Sequence, residues 1–285
     1  MRPIRSFKPF FPLLSFQKMP FTTDGRVHHS GIANEKAICE FLNSRSAAIK
    51  ATICPPDARV EHRGGTGQKA DAEVVSAAGN KTISIKHHKT GTFDWLNSTA
   101  ALSDASKTHL QANLRTICEK FSTSTKTDAD IATARRTCDD LFAAHLREMP
   151  SEQIRALLSG CYEKNTDYVI ITDVAKSELV AFDRLKNLPE LRTLEGWTYF
   201  MKSSPRAKTS AQIWRRAADG TEVNTRLRVR LVLNNGVTAL LGLSTSNKSS
   251  SPCIKIQQDN VAGFIASLVE PVRETYVEVF AAPLA

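Results

Sequence analysis

Asp71, Glu73 and Lys86 are the residues whose types and spacing best suit chemistry on a phosphate. Residues 70–77 and 82–88 alternate apolar and polar side chains around the turn residues Gly79-Asn80, a pattern that predicts a β-hairpin. With the turn centred between Ala78 and Gly79, Asp71 falls opposite Lys86 and Glu73 opposite Ser84. All four then share one face, while Ala72, Val74, Ile83 and Ile85 line the other and suit a core. Two close carboxylates repel each other unless a cation lies between them. A hard ion such as Mg²⁺, with Mn²⁺ as a substitute, takes oxygen ligands and keeps positions for water and a phosphate. A lysine beside it would orient the water and stabilise negative charge developing on a phosphodiester. The competing reading is a surface ion pair between Asp71 and Lys86, worth about 0.2–1 kcal/mol.

The elements that would position these groups follow from periodicity. Residues 31–43 form a helix with Ile32, Cys39 and Leu42 on one stripe, Asn34 as its N-cap and Glu35 on the same side. Such an acid is either a site residue or an acid stabilised by the helix dipole. Residues 59–62 read as a short strand, and Arg63-Gly-Gly-Thr-Gly67 as a loop without the spacing of a phosphate-binding loop. Helices follow at 103–121, 128–147 and 151–162, then strands at 167–172 and 179–182. Farther on, 212–218, 225–233 and 237–242 read as a meander with turns at Asp219-Gly220 and Asn234-Asn235-Gly236. A strand at 253–257 and a helix at 259–269 complete the order.

With Lys69-Ala-Asp-Ala-Glu-Val74, Thr82-Ile-Ser-Ile-Lys-His-His88 and Gly31-Ile-Ala-Asn-Glu35, residues 30–182 resemble the PD-(D/E)xK, restriction-endonuclease-like nucleases. The resemblance implies a helix, three strands, a helix and a further strand, in an α/β fold with a mixed central sheet flanked by helices. It implies Asp71 as the first metal-binding acid, Lys86 as the catalytic lysine and Glu35 as the acid that many members carry on the helix. One position departs from the pattern. Ser84 stands where the family has its second acid, and the expected hairpin register offers Glu73, opposite Ser84, as the replacement ligand.

Charge points to a polyanionic partner. The 285 residues carry 38 Lys and Arg against 29 Asp and Glu, a net charge of +9. Residues 1–23 contribute Arg2, Arg5, Lys8 and Lys18 and no acid. Residues 202–230 contribute eight cations against Asp219 and Glu222. Arg226, Arg228 and Arg230 alternate with Leu227, Val229 and Leu231, so a strand there would show guanidinium groups on one face. Such a row is costly without anions, and phosphates would relieve it; the alternative is pairing with acids on neighbouring strands. His87, His88 and Lys89, beyond the active strand, and Lys255 add donors for phosphate or base edges, with double-stranded DNA as the partner.

No apolar run is long enough to span a bilayer, so no membrane role is expected. The six cysteines form no CxxC pair, which favours reduced, intracellular thiols over zinc or disulfides. The acid-free N-terminus is either an extension before a start at Met19 or an organelle-targeting leader over residues 1–18, which its prolines make a poor amphipathic helix. The expected organisation is a basic leader at 1–23, a nuclease core at 24–190 and a β-rich basic region at 191–285, separate or part of the same domain. The expected activity is Mg²⁺-dependent hydrolysis of DNA, as a type II restriction-like endonuclease. The alternatives are a repair or recombination nuclease and a non-catalytic DNA-binding protein on the same fold. A homodimer is an expectation of symmetry, since cutting both strands wants two sites.

Overall fold

The computed structural model describes residues 26–44, 48–63, 70–88, 91–121, 126–162, 166–174, 176–188, 196–203, 209–243 and 251–276. The chain is α/β, with one mixed sheet, one antiparallel sheet and helices packed on both. The expected leader at 1–23, Lys89, and the glycines and Thr66 of the 63–67 loop lie outside the described residues.

The mixed sheet has six strands in the order β1 (Arg59–His62), β2 (Ala72–Val75), β3 (Lys81–His88), β5 (Tyr168–Asp173), β6 (Glu178–Asp183) and β11 (Val272–Thr275). β1, β2 and β3 run as an antiparallel meander, and β5 pairs in parallel with β3. That parallel pairing needs a long crossover, which helices α3 (Asp104–Glu119), α4 (Asp128–Glu148) and α5 (Ser151–Tyr162) supply. Their apolar positions recur at helical spacing, as Leu110, Leu114 and Ile117 on α3 and Ala134, Cys138, Phe142 and Leu146 on α4. Ser103 caps α3, and a reciprocal capping box between Thr127 and Asp130 starts α4.

Helix α1 (Arg26–Ser44) and helix α2 (Ala48–Ile53) cover one face of this sheet. Ile38, Leu42, Ile49 and Ile53 are buried there against Ala72, Val74, Ile83, Ile85 and Ile170. Asn43 ties α1 to β1, its amide donating to the Val60 carbonyl at 2.7 Å and its oxygen accepting the Val60 N–H at 3.0 Å. Since α1 begins at Arg26, Asn34 is not its N-cap but a buried residue inside the helix.

The second sheet is antiparallel, in the order β4 (Phe93–Ser98), β10 (Pro252–Gln258), β9 (Glu222–Leu233), β8 (Ser210–Arg216) and β7 (Thr198–Ser203). One hydrophobic core joins Val169, Ile171 and Phe182 of the mixed sheet with Phe142, Leu146 and Leu158 of the helices and Val229, Leu231 and Ile256 of the second sheet. The two halves of the chain exchange strands, for β4 pairs with β10 and β11 pairs with β6. Residues 237–242, read as a strand, instead form helix α6 (Gly236–Leu240). Gly236 takes φ +74 at the strand end, and Val237 and Leu241, one turn apart, are both buried. The helix expected over 259–269 is the shorter α7 (Val261–Ala266), capped by the Asn260 side chain. Among the described residues no helix is long and apolar enough to cross a membrane.

Leu42 is fully buried, so Leu42→Ala is expected to cost about 2–5 kcal/mol in urea unfolding. Leu243→Ala, at an exposed position, should cost under about 0.5 kcal/mol.

Candidate functional site

The hairpin folds as expected in its faces but not in its register. Ala72 pairs with Ile83, Glu73 with Thr82 and Val74 with Lys81, two residues offset from the expectation. The turn closes earlier, over Ser76–Gly79, where Gly79 takes φ +115 and Ser76 Oγ donates to the Gly79 carbonyl at 2.8 Å. An offset of two keeps every side chain on its face, so Ala72, Val74, Ile83 and Ile85 still line the core.

The offset changes the neighbours of the acids. β2 starts at Ala72, which leaves the Ile85 N–H of β3 without a strand partner. Asp71 supplies one: its Oδ2 accepts the Ile85 N–H at 2.6 Å and the Ser84 hydroxyl at 3.2 Å. Ser84 therefore binds Asp71, and Glu73 does not stand opposite Ser84. Glu73 lies across from both Thr82 and Glu61, and its carboxylate accepts Arg63 Nε at 2.9 Å and Asn80 Nδ2 at 2.8 Å. Arg63 also contacts Glu61 at 2.9 Å, neutralising two opposed acids with one guanidinium.

Glu35 reaches the same corner from α1. Its Oε2 lies 2.9 Å from His62 Nε2, on the last residue of β1, and both side chains are only 19% exposed. Burial raises the Glu35 carboxyl above its usual range. The His62 hydrogen bond opposes this, the negative charge of Asp71 adds to it, and the charge of Lys86 opposes it. Glu35, Asp71, Lys86 and His62 thus form one electrostatic group drawn from α1, the residue just before β2, β3 and β1. The buried Cys39 thiol, one helical turn from Glu35, is pushed up to about 12 by burial first and then by Glu35 and Asp71. As the tenth residue of α1, Glu35 gains nothing from the helix N-terminus, so the dipole explanation for it fails.

Lys86, half-buried beside Ile171 of β5, makes no hydrogen bond or ion pair with another described residue, and the surface pair with Asp71 is absent. His62 is the member of the group that sequence reasoning missed. The available signal was a histidine closing the strand before the glycine loop that leads to Asp71. Among the described residues, no three His, Cys, Asp or Glu side chains are grouped to hold a metal ion.

The expected DNA-contacting residues are placed differently from one another. His88 is buried, its Nδ1 accepting the Gly91 N–H at 3.2 Å, and His87 is half-buried beside Thr172. Residues 93–98, to which the sequence pattern assigned no element, are strand β4. Trp95 is buried there, donating to Gln258 at 3.1 Å. Arg226 does not continue the row of Arg228 and Arg230: it sits in a bulge at φ +60, exposed, with its carbonyl accepting the Asp259 N–H. Arg228 is paired with Asp259 at 3.1 Å, and Arg230 interacts with the charge of Asp139 on α4. Lys255 stands directly opposite Arg230. The pairing acids come from a loop and a helix, not from adjacent strand positions.

Glu35→Gln tests the electrostatics. A carboxyl raised on folding is favoured protonated, so its penalty appears as pH climbs through the raised pKa and vanishes below the unfolded value. The variant should melt higher than wild type at neutral pH and equally at acid pH. A lower neutral Tm with retained fold would contradict this.

No protein-family model, no curated protein and no solved structure matches the chain.

Proposed function

We propose that the chain is a metal-dependent DNA endonuclease with a restriction-endonuclease-like active corner. The observation that carries the reading is that Glu35 on α1 feels the charges of both Asp71, the residue just before β2, and Lys86 on β3. The element order supports it, since a helix precedes an antiparallel meander and a parallel strand follows the crossover.

Asp71 and Glu35 offer the oxygen donors that Mg²⁺ takes, an ion commonly held by one or two carboxylates with waters and substrate phosphate completing its shell. Asp71 Oδ1 and the Glu35 carboxylate would hold it, while Glu73, engaged by Arg63 and Asn80, falls outside the ligand set. When bound, the ion polarises a phosphoryl oxygen and lowers the pKa of a water. The chain's own contribution is positional. Ile85 and Ser84 fix the Asp71 carboxylate, and His62 orients Glu35. The Lys86 ammonium stabilises charge on the phosphate and orients the attacking water.

The second sheet supplies the phosphate contacts. Arg230 and Lys255 are like charges directly opposite one another, an arrangement that favours an anion, and Arg226 is exposed farther along β9 in the bulge. Arg228, neutralised by Asp259, contributes less.

A second reading has a specific observation behind it. Ser84 occupies the second acid's position and Glu73 does not replace it, which favours a non-catalytic DNA-binding protein.

Plasmid cleavage with Mg²⁺ or Mn²⁺ separates the two. Wild type should cut, and Lys86→Ala should lower the rate by about 10²–10³-fold. Asp71→Asn, which keeps an oxygen to accept the Ile85 N–H, should lower it similarly. DNA binding without cutting under either ion selects the second reading.

A further inference from the structure

At the β7–β8 edge of the second sheet, far along the fold from the acidic corner, aromatic rings and cations are interleaved. Phe200 and Trp214 are cross-strand neighbours. Lys202 Nζ lies 4.1 Å from the Trp214 ring centroid and 5.4 Å from that of Phe200, and the Arg216 guanidinium lies 4.8 Å from Phe200. Both cations converge on one carboxylate. Glu222 Oε2 accepts Lys202 Nζ at 2.6 Å, and its Oε1 accepts Arg216 Nη2 at 2.7 Å and Nε at 3.1 Å. Strand alternation places Phe200, Lys202, Trp214, Arg216 and Glu222 on one face. Lys202 and Arg216 are each about half exposed.

We propose that this corner is a binding site for single-stranded DNA, in which Glu222 occupies the place of a backbone phosphate. The donor set is what a phosphate takes: a guanidinium offering two N–H groups and an ammonium beside it. The adjacent rings are what unpaired bases stack upon. Duplex DNA keeps its bases stacked inside and would gain only the electrostatic part. Exchange is cheap, since exposed carboxylate pairs contribute little and a phosphate repays their loss with counterion release. The cations slide from the rings to the phosphate as bases cover Phe200 and Trp214. The row continues across the sheet through Gln212, opposite Lys202, and Arg228, opposite Gln212, giving a strand a polar path. The choice of DNA rests on the nuclease reading, but the residues are separate from that site. Loss of cleavage with retained binding would remove the first and leave this one.

Fluorescence anisotropy with a labelled oligo(dT) strand and a hairpin duplex of equal length tests the proposal, using the full chain with EDTA to prevent cutting. The single strand should bind more tightly than the duplex and quench tryptophan emission. Trp214→Ala should weaken oligo(dT) binding about tenfold while changing duplex binding little. Glu222→Gln, a surface change that leaves the rings in place, should strengthen oligo(dT) binding a few-fold. Weaker or unchanged oligo(dT) binding in Glu222→Gln overturns the proposal even if Trp214→Ala fails to fold. So does equal affinity of wild type for the two DNAs, or absence of binding.

Discussion

Burial of β3 on both faces is the constraint on which the rest depends. Ile83, Ser84 and Ile85 are consecutive buried residues, so the strand must be covered on each side and paired at each edge. Helices α1 and α2 cover one side. On the other lies the core shared by helices α3–α5 and the second sheet. The edges are taken by β2 and β5 as far as these reach. Where β2 ends, the Ile85 N–H still needs an acceptor, and the Asp71 carboxylate is that acceptor. An acid is thus fixed next to the strand end by a backbone requirement. Lys86, the next residue, leaves the core on the face opposite to Ile85. The packing of Ile38 and Leu42 onto Ile83 and Ile85 brings Glu35 over the same end.

The electrostatics follow from that placement. Glu35 is half-buried near Asp71, and only His62 and Lys86 oppose the resulting rise in its pKa. Elsewhere the acids are already committed: Glu61 and Glu73 to Arg63, Asp259 to Arg228, Glu222 to Lys202 and Arg216. Among the described residues the Glu35–Asp71 pair has no Lys or Arg at hydrogen-bond distance, only His62 on Glu35, and a divalent ion would supply the missing positive charge.

The faces of the hairpin, the helices of the crossover and strand β1 were legible because period-two and period-3.6 patterns depend only on which side is buried. The register was not legible, since any even offset preserves the pattern. In the structure the turn centres between Ala77 and Ala78, one position earlier than expected, with Gly79 at positive φ closing it. The expected placement of Glu73 opposite Ser84 failed with it, while the charges of Asp71 and Lys86 both reach Glu35. The arginine row was misread for another reason. Alternation of Arg226, Arg228 and Arg230 with apolar residues is real, but a bulge turns Arg226 aside. The partner acids Asp259 and Asp139 arrive through tertiary contacts that no local window contains. Strand β4 was hidden because Trp95 is an extra residue between the pairs of Leu96 and Asp94, which breaks its alternation.

The proposed function needs Asp71 and Glu35 to form a cation site together. Calorimetric titration of the wild-type chain with Mn²⁺ at mildly acid pH, in two buffers of different ionisation enthalpy, tests it most directly. One bound ion with release of protons is expected, since burial favours the protonated Glu35 carboxyl and the carboxylate is the form that ligates. Both the binding and the proton release should be lost in Asp71→Asn, and the proton release in Glu35→Gln. Binding of equal affinity in Asp71→Asn, or no binding to wild type, would contradict the account.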